Sequence, residues 1–528
     1  MSATERFVNW WSERLHIRDV PLSRVPDYMY SVNYWLGSMV AAAFFWEVIT
    51  GLFEILYYEP SNPYGSTMSI IQKVPYGQLL IGTHLYGAYL MILLAYVHMF
   101  RNYFVKAYKK PRELQWMIGV ILLTIVQGAA FLGYSMTGDI LAADAVDVGR
   151  GIMGSIPFGK ALEPFVFGNG TSLDLFSRLL GYHIILVALI GILFGYHFYL
   201  AEMNGFMPSH KAANNKAPAV LDQKDPSLNP WYPRNLIYML ELVFLTFGII
   251  VIVPSVLMLL PKVPILFSPY PSVSPTSALA KTIPAYPPWF FLFMYKVLDF
   301  KPLSPLDVTI IAAVIPILFF LLVPILDRSD DLHFMNNWVF QAIGIIAIIN
   351  FVQASVWAAL APGVPVGPNV YIPVIAEPFI VVLAGFYLMS RNTRSPTVSR
   401  TAALALVAAM TGVFAVTLAS YSHLFSLQSL PAAVTGTLAS GFLGAVLISA
   451  KDSSSSGPAG KVSASRPRLG AAYALLTVLV VTAFALAAVM WTFDPITQAP
   501  FFGLGLGTLL LIFAEMIAIY HYAVYTRR

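Results

Sequence analysis

Long apolar runs decide what this chain can become. A helix needs about 20 apolar residues to cross the hydrocarbon core of a bilayer, and roughly twelve runs of that kind can be read along the chain. They lie near 31–57, 78–104, 115–135, 175–200, 236–260, 306–326, 338–359, 371–390, 401–421, 431–449, 470–493 and 501–525. Inside a bilayer no water satisfies loose backbone groups, so such runs fold as helices. The fold class expected is therefore an all-α integral membrane protein. Composition agrees: 58% of residues are hydrophobic and 11% charged, with a mean hydropathy of +0.71, far from the balance of a soluble globule.

Loop character divides the chain. Residues 1–30 carry Phe7, Trp10, Trp11 and Leu15 opposed by Arg6, Glu13 and Arg14, the pattern of a helix lying in the membrane interface. Charges run through this segment and no short apolar core precedes a small-residue cleavage site, so no cleavable signal peptide is expected. A four-helix bundle over 31–203 follows, then a polar cytoplasmic linker over 204–235 and a second group of four helices over 236–395. About four extra C-terminal helices fill 396–528, interrupted by a Ser/Gly/Pro-rich linker at 451–469.

The net charge of +5 matters through its distribution. "RNYFVKAYKKPRE", "RNTRSPTVSR", "KDSSSSGPAGKVSASRPR" and the terminal "TRR" all fall on one side if both termini are cytoplasmic, as the positive-inside rule requires. Basic stretches here mark topology and no nucleic-acid role. Cysteine is absent, which excludes disulfides, thiolate metal sites and thioether-attached haem within the chain.

Nine histidines occur, and four stand deep in apolar runs. "THLYGAYLMILLAYVH" holds His84 and His98, and "YHIILVALIGILFGYH" holds His183 and His197, each pair fourteen residues apart. Fourteen helical steps fall about 40° short of four turns and rise about 21 Å. Each pair therefore shares a helix face at two depths. One run intervenes, so the two helices run parallel and present His84 with His183 at the outer level and His98 with His197 at the inner. A lone membrane histidine more often bonds a carbonyl or lines a proton path. The repeated spacing on parallel helices points instead to axial ligands of two haems. Gly37 and Gly51, and Gly119 and Gly133, are also fourteen apart, leaving room for flat groups between helices. His423 and His521 stand singly near run ends and read as interfacial.

Residues 5–390 resemble the cytochrome b subunit of quinol:cytochrome c (or plastocyanin) oxidoreductases. The resemblance rests on the doubled H-x13-H, the two G-x13-G pairs, "KKPRELQW" at 109–116, "GYSM" at 133–136 and "SIPFGKAL" at 155–162. "WWSERL" at 10–15 and "KKPRELQW" look most like the variant split into two chains, here fused. The resemblance implies two non-covalent bis-histidine b-type haems and oxidation of quinol at an outer site. One electron would go to a Rieske-type iron–sulfur protein and then a c-type cytochrome. The other would pass through both haems to an inner quinone site, with proton translocation. It implies an inner (cell) membrane location and a homodimeric complex. His84 and His183 would ligate the outer haem, His98 and His197 the inner. Arg101 and Trp116 match positions near an inner-haem propionate, where a cation offsets costly charge, although Arg101 equally fits snorkelling at the interface. Arg178 matches a basic position beside the outer haem.

Several positions depart from the family. The outer-site signature, usually Pro-Glu-Trp-Tyr, reads Pro287-Pro288-Trp289-Phe290 here. Pro288 cannot accept a proton as the glutamate would. Tyr295 and Tyr134 remain at family tyrosine positions, and proton exit is expected to use Tyr295, water, or one of Asp139, Asp144 and Asp299. At the inner site a family histidine becomes Glu202, with Arg234 and Asn235 nearby; all three also fit solvated interface residues. Glu47 falls at a family glutamine position and is expected to bond backbone between the haems. Glu515 is a buried carboxylate candidate in the last run, and the extra helices are expected to pack against partner subunits or the complex periphery. Two other readings stay open at this point: a di-haem anchor serving another dehydrogenase or hydrogenase, and a non-redox transporter.

Overall fold

The computed structural model describes residues 22–391 and 469–525. Most of the expected interfacial helix, the runs near 401–421 and 431–449, and the linker up to 468 lie outside the described residues, as do His16 and His423. Among the described residues ten helices are long and apolar enough to cross a membrane. The all-α class holds, with three isolated β-bridges as the extended pairing present among the described residues.

The first four spans are α1 (Val32–Glu54), α2 (Gly77–Phe104), α3 (Glu113–Ser135) and α5 (Ser172–Asn204). Between α3 and α5 the outer excursion forms a further helix, α4 (Ile140–Ser155), and a short one, Gly159–Phe167. Asp139 caps α4 by accepting from Ala142 N, and Thr171 caps α5 by accepting from Asp174 N, which satisfies otherwise orphaned amides at each start. α6 (Leu236–Leu259), α7 (Pro305–Leu326), α8 (Trp338–Leu360) and α9 (Pro368–Arg391) make the second group. α10 (Leu469–Met490) and α11 (Ala499–Ile519) close the chain.

In the bundle, α1 packs chiefly on α2 and α3 on α5, and α6 covers α1 and α2. Its middle is apolar by position. Phe44, Met91, Val126 and Ile190 lie in one buried cluster, and each sits seven residues from both members of the Gly37–Gly51, His84–His98, Gly119–Gly133 or His183–His197 pair on its own helix. Seven residues make nearly two turns, about 10.5 Å. The bundle therefore stacks a polar tier, an apolar layer and a second polar tier along the membrane normal.

The last helix is not peripheral. α11 packs along α6, with backbone nearly touching backbone: a Cβ on Gly507 would stand 3.0 Å from Ile252 N and 3.1 Å from Gly248 O. Close approach of this kind is how small residues join membrane helices. Its outer end is tied by Tyr76 N donating to Pro495 O at 2.7 Å and Gln78 Nε2 to Ile496 O at 3.1 Å. Its inner end places His521 near the end of the span, fully buried within the protein between Tyr30 and Tyr238.

The basic loop after α2 does more than mark topology. Lys106 donates to the carbonyls of Asp331, His333 and Asn336. Lys109 pairs with buried Asp327 at 2.8 Å, and the Arg112 guanidinium donates to the carbonyls of Asn204, Gly205, Phe206 and Ala219. Three buried cations thus clamp the inner loops of both helix groups together.

Candidate functional site

Each of the four glycines meets one of the four imidazoles. A Cβ on Gly51 would lie 3.3 Å from His84 Cε1, and one on Gly133 would lie 3.1 Å from His183 Cε1. At the inner tier the same holds for Gly37 against His98 (3.2 Å) and Gly119 against His197 (3.1 Å). Larger residues there would press on the rings. His84 and His183 are near enough for a charge on one to act on the other, as are His98 and His197. Among the described residues no group of three or more His, Cys, Asp or Glu gathers as around a bare metal ion; the imidazoles come as facing pairs.

Hydrogen bonds decide which ring nitrogen is left for chemistry at the outer tier. His183 Nδ1 lies 2.9 Å from Ala129 O. A carbonyl only accepts, so Nδ1 carries the proton and Nε2 of the neutral ring keeps a free lone pair. His84 Nδ1 lies 2.8 Å from Thr50 Oγ1. That hydroxyl gives its one proton to Trp46 O at 2.8 Å, so it accepts from His84 Nδ1 and again leaves Nε2 bare. Glu47 Oε2 approaches the same Nδ1 at 3.3 Å, and Gly87 leaves the space its carboxylate occupies. The expected role of Glu47, bonding backbone between tiers, is thereby corrected: it flanks His84. At the inner tier the Asn102 amide stands 3.3–3.4 Å from the ring nitrogens of His98.

Below the apolar layer a cavity of ≈ 230 Å³ opens between the inner histidines. Gly37, His98, Gly119 and His197 line it, and Arg101, Trp116 and Glu202 stand on its walls. Arg101 bonds Asn33 and Asn102 and lies over the Tyr34 ring at 4.7 Å. Trp116 gives its indole N–H to Phe320 O at 2.6 Å, so it contributes a wall and no free donor. Glu202 accepts from Ser23 N at 2.6 Å. Arg234 is elsewhere: it bonds Asp27, Asn229 and His521, joining the N-terminal segment to the last helix. Its neighbour Asn235 is buried and accepts from Tyr30 OH at 2.5 Å.

At the outer end, Tyr134 OH donates to Tyr286 O at 2.9 Å, fastening the end of α3 to the segment carrying Pro287 and Pro288. Trp289 packs on Phe351, while Phe290 is 1% exposed and anchors the loop in the core against Tyr89. Tyr295 is half-buried beside Gly363, and behind it Lys296 donates to Asp299 and to the carbonyls of Ala361 and Val364. Arg178 pairs with Asp174 at 3.0 Å and donates to Phe165 O, so its charge is committed to the rim. The partners sequence reasoning missed are Thr50, Asn102 and Arg112. Arg112 alone carried a signal, inside "KKPRELQW".

Two family profiles match the chain in succession: "Cytochrome b(N-terminal)/b6/petB" over residues 89–275 and "Cytochrome b(C-terminal)/b6/petD" over 278–377. A cytochrome b of Sulfolobus acidocaldarius is 38% identical over 98% of this chain and 97% of its own length. The menaquinol:cytochrome c reductase cytochrome b subunit of Geobacillus thermodenitrificans is 29% identical over 38% of this chain and 96% of its own. In fold, the chain is similar to a solved chain of a hyperthermophilic respiratory Complex III, at a TM-score of 0.55 and 23% identity, covering 72% of this chain and 97% of that one. The anchor and transporter readings are set aside accordingly. With paired imidazoles in a multi-pass helical membrane protein, and a 38% identical cytochrome b matching over nearly its whole length, the chain belongs to the cytochrome b family: it is the haem b-binding cytochrome b subunit of a bc-type oxidoreductase complex.

Proposed function

We propose that this subunit oxidises quinol at its outer face and conducts one of the two electrons inward through two b haems to a quinone site at its inner face. His84 and His183 would hold the outer haem and His98 and His197 the inner. The carrying observation is the pairing of every tier glycine with a tier histidine at 3.1–3.3 Å. Haem b, when bound, supplies a one-electron carrier at each tier.

The residues fit such groups. The donors are neutral imidazole nitrogens with their other nitrogen hydrogen-bonded at the outer tier, the arrangement that orients a metal-binding histidine. Glycine on the facing helix opens a flat space beside each ring. Arg101 at the cavity wall would offset the charge of a haem propionate at the inner rim. The apolar layer of Phe44, Met91, Val126 and Ile190 keeps water from joining the tiers.

The outer quinol site is assigned to Tyr134, Pro287, Pro288, Trp289 and Tyr295, with Phe290 as the anchor that fixes the loop. The inner quinone site is assigned to the cavity beside Glu202, whose carboxylate exchanges protons with a reducing quinone. Quinol as the substrate class is supported by relatives named menaquinol:cytochrome c reductase in Geobacillus thermodenitrificans and Bacillus subtilis. Partners in this reading are a Rieske-type iron–sulfur protein and a c-type cytochrome, in a homodimeric complex within the cell membrane, with the basic loops cytoplasmic. Quinol added to the purified complex is expected to reduce two spectroscopically distinct b components. Reduction of none, in a complex that dithionite does reduce, would reject the proposal.

A further inference from the structure

Quinol oxidation releases two protons, and the outer loop carries Pro288 where a base would be convenient. Resting on the quinol-oxidation reading above, we propose that Asp144 of α4 is the proton acceptor of the outer site. The three carboxylates near this pocket differ in what they already do. Asp139 is 3% exposed and accepts from Ala142 N (2.8 Å), Ser272 N (2.6 Å) and Thr137 Oγ1 (3.1 Å); it caps α4 and holds the following outer loop. Asp299 is locked to Lys296 at 3.0 Å. Asp144 is half-buried, and among the described residues its carboxylate takes no hydrogen bond and no ion pair.

Its surroundings connect it to the pocket. α4 packs against α3, which carries Tyr134, and against the start of α7 at Pro305–Thr309. Asp144 lies within electrostatic reach of both pocket phenols, Tyr134 and Tyr295. The other titratable groups facing it are Asp139 and Asp147. Partial burial, then the charges of Asp147 and Asp139, push its carboxyl above the ordinary carboxylate value, which brings it closer to a working base at neutral pH.

The step balances with the acceptors already named. In that reading quinol would lose two electrons, one to the iron–sulfur partner and one to a b haem that His84 and His183 would hold. One hydroxyl proton passes by way of Tyr295 to the Asp144 carboxylate and then to outer water, while the other leaves to outer water with the first electron. Because Asp144 works through a phenol it is a relay base, and its substitution must change a pH profile as well as a rate.

The test uses the intact complex with Asp144→Asn, Asp144→Glu and, as a neighbour control, Asp147→Asn, whose side chain is 78% exposed. Asp144→Asn is expected to slow quinol oxidation at least about 10-fold and to abolish the rise of rate with pH on the acid side. Both haem bands and the reduction of the haems by dithionite should be unchanged. Asp144→Glu should restore the rate with a shifted acid limb, and Asp147→Asn should keep the neutral-pH rate while moving the acid limb slightly to lower pH, because it removes one of the charges that raise the Asp144 carboxyl. A wild-type rate and pH profile in Asp144→Asn would overturn the assignment of Asp144 alone. A native complex whose haems dithionite reduces but quinol does not would overturn the underlying reading and this proposal with it.

Discussion

Thr50 on α1 accepts a hydrogen bond from His84 on α2, 2.8 Å from its Nδ1. The bond settles the imidazole tautomer from outside the ring, because the hydroxyl proton is already given to Trp46 O. Thr50→Val keeps the shape and removes the acceptor. It is expected to weaken retention of the outer haem by about 10–100-fold, the cost typical of losing such a supporting bond. Haem content after washing, with the inner component as internal reference, checks this; equal retention of both would count against it.

Gly119 is the inner-tier counterpart of that control. A Cβ there would sit 3.1 Å from His197 Cε1, and leucine would drive the ring from its place. Gly119→Leu is expected to lose the inner b component and keep the outer, and Gly133→Leu the reverse, read from low-temperature spectra. Loss of both from either change would mean the tiers are not independent.

The spacing that builds the tiers was legible in the sequence because each fourteen-residue pair lies within a single helix. A spacing of fourteen survives any arrangement of the helices around it, and so does the apolar residue seven from each end. What crosses between helices was not legible. Thr50 and Glu47 meet His84 only because α1 is rotated and shifted to suit α2, and no spacing within α1 says so. The docking of α11 was hidden likewise: Gly503 and Gly507 are common residues for a membrane helix, and the matching Gly248 lies far away in α6. α4 escaped notice because its two aspartates and three glycines hide its helical pattern.

Asp327 makes a pH prediction. Burial alone would raise its carboxyl, but hydrogen bonds from Lys109, Tyr108 and Asn337 outweigh this and hold it below the ordinary carboxylate value. A depressed folded-state value adds stability that is full above the unfolded value of about 4 and is lost as pH falls through the folded one. Lys109→Met removes the 2.8 Å partner and leaves a buried charge unpaired, a change worth about 3–5 kcal/mol. Thermal unfolding in detergent from pH 3 to 7 should show the acid loss in wild type and a lower midpoint in the variant at pH 7. Indifference to the substitution would refute the clamp.

Gly507→Leu tests whether α11 belongs to the body of the protein. The added side chain would strike Ile252 and the carbonyl of Gly248, and overpacking of this kind costs about 1–3 kcal/mol. The variant is expected to melt earlier, to expose His521 to chemical modification, and to keep both haem bands. Unchanged melting would place α11 outside the core.

The most direct measurement is haem content and redox-titrated absorbance of the purified chain with its tier histidines replaced one at a time. Two b haems per chain are expected in the native protein. His84→Leu or His183→Leu should remove one component, and His98→Leu or His197→Leu the other. A single haem in the native chain, or full absorbance surviving replacement of all four imidazoles, would contradict the two-tier account.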